Sequence, residues 1–394
     1  MENVTHQAES QKLTLFFKGH IDSTNAPAVE AAVNQAIQES NPATVVVDCG
    51  ALDYISSAGL RILLHLRKKF GPFSVVNVSS EIYEILDMTG FTEMLDVHKA
   101  YRQISIEGCE VIGSGANGKV YRIDPDTIVK VYDVNQDALP EIKRERELAR
   151  KAFVAGIPTA IPYDVVQVGE AYGSVFELLN ARSFASLLAE DESRVDELVA
   201  MSVDLLNKIH GTRVNPGDMP NMRETVLGWA KFLIPYLPEN EGSKLVKLVE
   251  AVPDHPYMLH GDYHFKNVML QNGETLLIDM DTLSMGHPIF ELGSIYAAYL
   301  GYSELSPEKT PVFYGFSHKS AEKIWARTID LYLDRFSEKV KRNVEDQAKL
   351  IAAMRVMRRT IRRHGMDEAE GRALIAICKE HITELLQRVD RLDF

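Results

Sequence analysis

The chain has 394 residues, 45% of them hydrophobic and 25% charged, with a formal net charge of −13 at pH 7. That length predicts two or three domains, and the composition is that of a globular protein. The negative charge argues against a nucleic-acid partner, because phosphate backbones demand a basic surface. Cys49, Cys109 and Cys378 are far apart and odd in number, so neither a disulfide framework nor a metal-ligand spacing is expected. Residues 1–10 lack the basic and apolar regions of a signal peptide, and no apolar run approaches a membrane span, which points to the cytoplasm and to no membrane partner. Residues 1–9 carry no pattern and are expected to be a disordered tail.

From residue 12 the chain alternates strand and helix patterns. Residues 12–19 read as a strand and 23–40 as an amphipathic helix, with Thr24 or Asn25 as its cap and Pro27 in its first turn. Residues 44–49 read as a buried strand, 57–69 as a helix and 73–78 as a strand. Residues 80–90 read as a helix ended by Gly90. Such alternation predicts one sheet with helices packed on it. Gly19-His20-Ile21-Asp22, the run from Val47 to Leu60 through Asp53-Tyr54-Ile55-Ser56-Ser57-Ala58-Gly59, and Leu86-Asp87-Met88-Thr89-Gly90-Phe91 together resemble a STAS domain, the fold of anti-sigma-factor antagonists. The resemblance covers about residues 10–103 and implies a protein partner. It also aligns Ser57 with the serine that is the phosphorylation switch of that family. Ser56 departs from the aspartate that many members carry there. A serine at a helix start is equally a preferred cap and a good place for a phosphate, so the two readings look alike in sequence. No Gly/Ser- or Pro-rich linker separates this unit from the rest of the chain.

Gly113-Ser114-Gly115-Ala116-Asn117-Gly118-Lys119-Val120 fits G-x-G-x-x-G-x-V. A Rossmann loop would open a helix. Here the loop leads into strand-like residues 120–123, a turn at 124–126 and a second strand at 127–132, and Lys130 lies on the second strand. Residues 139–150 are strong helix formers carrying Glu141, Glu145 and Glu147, and residues 173–179 read as a strand ending at Glu177-Leu178. Helical periodicity returns at 193–209, 223–237 and 243–252. His210 reads as a packing or capping residue.

The densest signal is His260-Gly261-Asp262-Tyr263-His264-Phe265-Lys266-Asn267, followed by Ile278-Asp279-Met280-Asp281. Short apolar runs flank it, with Asn272-Gly273 as a turn. Phosphoryl transfer needs an Asp to take the proton of the attacking hydroxyl, and an Asn and an Asp to hold magnesium. Asp262, Asn267 and Asp279 are those residue types in that order. The stretch resembles the aminoglycoside phosphotransferase and choline kinase superfamily. That resemblance implies an α+β protein-kinase-like two-lobe fold after the α/β STAS domain, with the kinase domain over 104–394, a small lobe to 180 and a helical large lobe from 181.

By the same resemblance Asp262 is the catalytic base, and Asn267 and Asp279 hold Mg2+. Gly113, Ser114, Gly115, Asn117, Gly118 and Val120 cover ATP, while Lys130, paired with Glu145, grips its phosphates. Glu141 and Glu147 stay open as alternatives to Glu145. Glu177 and Leu178 meet the adenine through backbone groups, and His260 and His264 support the loop. His287 and Glu291 depart from the aspartates that brace the loop in the family, which puts the bracing in question. Residues 318–323 fall where such kinases build the acceptor pocket. Arg355, Arg358, Arg359, Arg362 and Arg363 share one helix face, readable as a solvated face or as a groove for an acidic or phosphate-bearing partner. The net negative charge is readable as plain solubility or as an attraction for a cationic substrate.

These observations define an expected Mg-ATP-dependent phosphotransferase acting on a small-molecule hydroxyl, with a regulatory or docking STAS domain. Two alternatives are a protein kinase acting on Ser57 in cis or in trans, and a nucleotide-sensing module without catalysis.

Overall fold

The computed structural model describes residues 3–9, 11–115, 118–133 and 138–394. It divides into two compact units, Met1–Ile104 and Ser105–Phe394.

The first unit is a single sheet with helices. Its elements run β1 (Val4–Glu9), β2 (Lys12–Ile21), α1 (Ala26–Ser40), β3 (Thr44–Ile55), α2 (Ser57–Phe70), β4 (Ser74–Val78), α3 (Ser80–Met88), α4 (Phe91–Met94), β5 (Asp96–Lys99) and the two-residue β6 (Arg102–Gln103). Strands β1 to β5 lie in chain order across the sheet. The β1–β2 pair is antiparallel, and the β2–β3, β3–β4 and β4–β5 pairs are parallel. The alternation in β2 buries Leu13, Leu15 and Phe17, and Val45, Val47, Cys49 and Val75 follow suit on the neighbouring strands. Against them pack Val29, Val33 and Ile37 of α1, Ile62, Leu63 and Leu66 of α2, and Ile82 and Leu86 of α3.

Three expectations need correction here. Residues 4–9 are not a disordered tail: they form β1, paired with β2 from Val4↔Phe17 to Glu9↔Lys12. Val4 is its one buried residue. An edge strand held by backbone hydrogen bonds leaves almost no apolar signature in sequence. The first helix begins at Ala26, and Asn25 does not cap it through its side chain. Asn25 instead accepts from the Asp22 amide and donates to the His20 carbonyl, tying down the loop before it. Strand β3 runs to Ile55, past Cys49, staying paired to β2 through two register shifts.

The second unit opens with β7 (Glu110–Gly115), β8 (Gly118–Asp124), β9 (Thr127–Tyr132), α5 (Ala138–Val154), β10 (Pro162–Val168) and β11 (Ala171–Glu177). The strands lie side by side as β10-β11-β9-β8-β7, antiparallel throughout. The rest of the unit is mostly helical, with β12 (Arg182–Ser183), α6 (Phe184–Glu190), α7 (Val195–His210), α8 (Met222–Leu233), α9 (Glu239–Glu250), β13 (Met258–Leu259), β14 (Val268–Gln271), β15 (Glu274–Leu277), β16 (Ser284–Met285), α10 (Pro288–Tyr299), α11 (Lys309–Tyr314), α12 (His318–Tyr332), α13 (Glu338–Arg362) and α14 (Ala369–Leu385). The β13–β16 pair closes the two ends of the segment 260–281, and the β14–β15 hairpin lies within it, between its two polar stretches. None of the described helices is long and apolar enough to cross a membrane.

Helix α10 is buried on almost every side, and it packs on α13. The two approach so closely at Gly293 that a Cβ there would lie 2.5 Å from Cγ2 of Ile351. We expect Gly293→Val to lower the unfolding free energy by about 1–3 kcal/mol, because α10 cannot retreat without opening the core. Gly228 is the contrast: it sits inside α8 with nothing within 4 Å of its would-be Cβ. Gly228→Ala should raise stability by about 0.5–1 kcal/mol through helix propensity. Urea melts of the two variants beside the parent check both signs.

Candidate active site

Lys130 on β9 is the centre of one cluster. Its Nζ lies 2.8 Å from Glu145 Oε1 on α5 and 3.3 Å from Asp279 Oδ1. Tyr132, two residues along the strand, donates its hydroxyl to the other oxygen of Glu145 at 2.7 Å. Burial opposes the charge on Lys130, but the Glu145 and Asp279 carboxylates outweigh it and hold the ammonium protonated. The two other glutamates on α5 are elsewhere, Glu147 pairing with Arg150 and Glu141 standing exposed.

A cavity of about 490 Å³ opens beside this cluster. Gly113, Ser114, Gly118, Val120, Lys130, Glu145, Glu177, Leu178, Asn267 and Asp279 all line it. Gly115 lies at the end of β7, and Asn117 lies outside the described residues. Gly118 has φ of 151° and a would-be Cβ only 2.0 Å from the Val131 carbonyl oxygen, so no larger residue fits where the turn folds back on β9. The Leu178 amide already donates to the Asp126 carbonyl, and the Glu177 carboxylate accepts from the Ile161 amide. Those groups tie the strand end to its neighbours.

The loop 260–267 is built around hydrogen bonds from its own backbone. Glu291, fully buried on α10, accepts the His260 amide at 2.5 Å and the Gly261 amide at 3.0 Å. The bracing put in question by the missing aspartates is therefore supplied by a glutamate, whose longer side chain reaches from the first turn of α10. Burial disfavours its charge, yet His210, His260 and the Gly261 amide keep it ionised below the usual range. His210 also hydrogen-bonds Tyr332, in keeping with a packing role. Gly261 has φ of 84°, and a Cβ would lie 2.5 Å from the Thr282 carbonyl oxygen. His260 accepts the Asp262 amide on Nδ1 and meets the Ile278 carbonyl through Nε2, linking the two polar segments.

Asp262 is held from two sides. Its Oδ1 lies 2.9 Å from a guanidinium nitrogen of Arg355, and its Oδ2 lies 3.4 Å from His264 Nε2. Burial works against its ionisation. The His264 hydrogen bond and the nearby His264, Arg355 and His260 outweigh that and hold the carboxyl well below the ordinary range. Arg355 also donates to the Gly261 carbonyl and the Ser294 hydroxyl, so this member of the basic face is not solvated. Nothing in the sequence around Arg355 marks it as Asp262's partner; the two are 93 positions apart.

Asn267 donates Nδ2 to the Asp262 carbonyl, which leaves its carboxamide oxygen as the atom available to a cation. Asp279 has φ of 65°, a left-handed backbone that a non-glycine residue adopts at a cost and that is common at functional sites. Asp281 is pushed up to about 7 by burial and by the Asp279 and Glu145 carboxylates. Crowded oxygen donors of this kind suit a hard divalent cation such as Mg2+. Within residues 318–323, Ser320 donates to Glu192 and Lys323 pairs with Asp196.

Residues 108–311 match the model of the phosphotransferase enzyme family, and residues 3–104 match that of the STAS domain. The chain belongs to the phosphotransferase enzyme family and carries a STAS domain ahead of that part. Over 84 residues, 20% of this chain, it is 33% identical to a putative anti-sigma factor antagonist of Bordetella bronchiseptica, covering 72% of that protein. In fold it is similar to a thermostable mutant of aminoglycoside phosphotransferase APH(4)-Ia, solved with ADP and hygromycin B. The identity is 11%, the match covers 71% of this chain and 93% of the other, and the TM-score is 0.50. A choline/ethanolamine kinase family protein from Mesorhizobium loti has 15% identity, coverage of 71% and 88%, and a TM-score of 0.48.

His287 yields a pH prediction. It caps α10 by accepting the Ile289 amide on Nδ1, which only a neutral ring can do. Burial, then His255 and His210, lower it from 6.5 to about 4. The unfolded chain binds this proton more readily, so the stability is complete above pH 6.5 and is lost as the pH falls towards 4. His287→Asn, which can still cap, should lose less on going from pH 7 to pH 4.5, by on the order of 2 kcal/mol. Urea melts at both values measure the difference.

Proposed function

We propose that this chain transfers the γ-phosphate of ATP to a hydroxyl group, with Mg2+ bound by Asn267 and Asp279. The observation that carries the reading is the Lys130–Glu145–Asp279 cluster in the wall of the 490 Å³ cavity, with Asp262 on the loop beside Asn267. Lys130, fixed by Glu145, would grip the phosphates, and the turn from Gly113 to Gly118 would cover them. Bound Mg2+ would neutralise charge on the phosphate oxygens. Asp262 remains ionised and accepts the hydrogen of the incoming hydroxyl, aiming its oxygen. The new O–P bond forms as the bond from the γ-phosphorus to the bridging oxygen breaks. ADP leaves with that electron pair, and the hydroxyl proton passes to Asp262. His264 and Arg355 hold both carboxylate oxygens of Asp262, so it acts more by orientation than by basicity.

Asp279→Ala should abolish ATP turnover while the STAS unit keeps its circular dichroism and its melt; surviving turnover would refute the metal assignment. Asp262→Asn should lose about 10²–10⁴-fold in kcat with ATP affinity retained, read by steady-state kinetics and nucleotide titration.

A second reading takes Ser57 as the acceptor. Ser56, not Ser57, caps α2 by accepting the Ala58 amide. Ser57 is exposed at the first position of that 14-residue helix, where backbone N–H groups favour a phosphate. Phosphopeptide mapping after incubation with Mg-ATP, beside Asp262→Asn, decides it. Phosphate on Ser57 in the parent alone would establish a regulatory kinase, and its absence would leave a soluble acceptor.

A further inference from the structure

A second cavity, of about 300 Å³, lies beside the catalytic loop. Gly261, the neighbour of Asp262, and Arg355, its ion-pair partner, are both in the wall. Three more arginines line it: Arg144 from α5, and Arg358 and Arg359 from α13. Among the described residues none of these three is paired with a carboxylate. Arg358 stands over the Phe232 ring at 5.9 Å and Arg359 over Tyr302 at 5.4 Å. Both guanidinium groups thus rest on aromatic faces with their N–H forks still to be used. Burial and the nearby Arg362 already weaken the hold of Arg358 on its proton, a strain that an anion would relieve. One carboxylate, Asp281, shares the wall with these four arginines. Trp229 and Thr225 add an aromatic face and a hydroxyl.

We propose that this cavity receives the phosphate acceptor and that the acceptor is a small alcohol bearing an oxyanion, either a carboxylate or a phosphate. The proposal rests on the phosphotransferase reading and names its substrate class. Arginine forks recognise two oxygens of a carboxylate or phosphate at once, and a cavity of this size holds a small molecule. A cationic amine or aminoglycoside would instead be set among four guanidinium groups, where like charges repel. The net charge of −13 describes the whole chain and not this wall.

The test reads binding and turnover separately on the full chain. Trp229 fluorescence, in a Trp325→Phe background, is titrated with glycerate, glycerol 3-phosphate, inorganic phosphate, glycerol, choline and kanamycin. ATP turnover is then measured with each alcohol. We expect saturable quenching by the oxyanion probes and none by glycerol or choline, with glycerate against glycerol 3-phosphate separating carboxylate from phosphate. Arg358→Gln and Arg359→Gln should each weaken oxyanion binding, or raise the KM of the oxyanion acceptor, by about tenfold or more. They should change kcat much less and leave ATP affinity alone, and Arg358→Lys should restore part of the loss. Arg359 is exposed, so its variant guards against misfolding. Binding of choline or kanamycin but of no oxyanion probe, oxyanion binding unchanged in both variants, or no binding of any probe would each overturn the proposal. In the first of these, turnover with the cation would leave the phosphotransferase reading standing. Oxyanion binding that falls in the variants, with no ATP turnover on any acceptor, would keep the anion site and remove that reading.

Discussion

Carboxylates crowd the site of the second unit. Glu145, Asp262, Asp279 and Asp281 converge from α5 and from two neighbouring loops, answered by Lys130, by Arg355 and, at Asp262, by His264. Lys130 takes two of these carboxylates and Arg355 takes one. The excess falls on Asp281, where burial and the neighbouring carboxylates let the group hold a proton up to about 7. A divalent cation would answer this excess, and the arrangement of the loops keeps the groups in place for it.

That placement rests on buried scaffolding. The Glu291 carboxylate is buried to hold two backbone amides, so the turn at His260-Gly261 cannot open without leaving them unpaired. Helix α10 presents Glu291 because it is wedged against α13 at Gly293, and the same α13 carries Arg355 to Asp262. One helix pair therefore braces the loop and charges its central residue. Arg358 and Arg359 continue the same face of α13 into the 300 Å³ cavity. A single helix thus links Asp262 to the proposed recognition of the acceptor.

In the STAS unit the corresponding device is smaller. Ser56 takes the capping bond, which leaves the Ser57 hydroxyl exposed at the positive end of α2. Two adjacent serines separate what one serine would have to combine, a structural cap and an accessible hydroxyl.

The sequence by itself determined the order of the parts. The glycine-rich turn between two strands, Lys130, the helix with Glu145, and the HGDxHxxN and IDxD segments were all legible, because each depends on short-range spacing. The strand and helix alternation of the first unit was legible for the same reason. Edge strand β1 was not, since it buries only Val4 and is held by backbone bonds to β2. The choice of Glu145 over Glu141 and Glu147 was open in sequence and fell to the reach of one side chain across to β9. The role of Glu291 as brace, and the turning of Arg355 inward to Asp262 while Arg362 and Arg363 stay on the outside of the fold, were decided only by tertiary packing. These contacts join residues 30 to 93 positions apart. No local periodicity encodes a distance that only the packing of α10 on α13 creates.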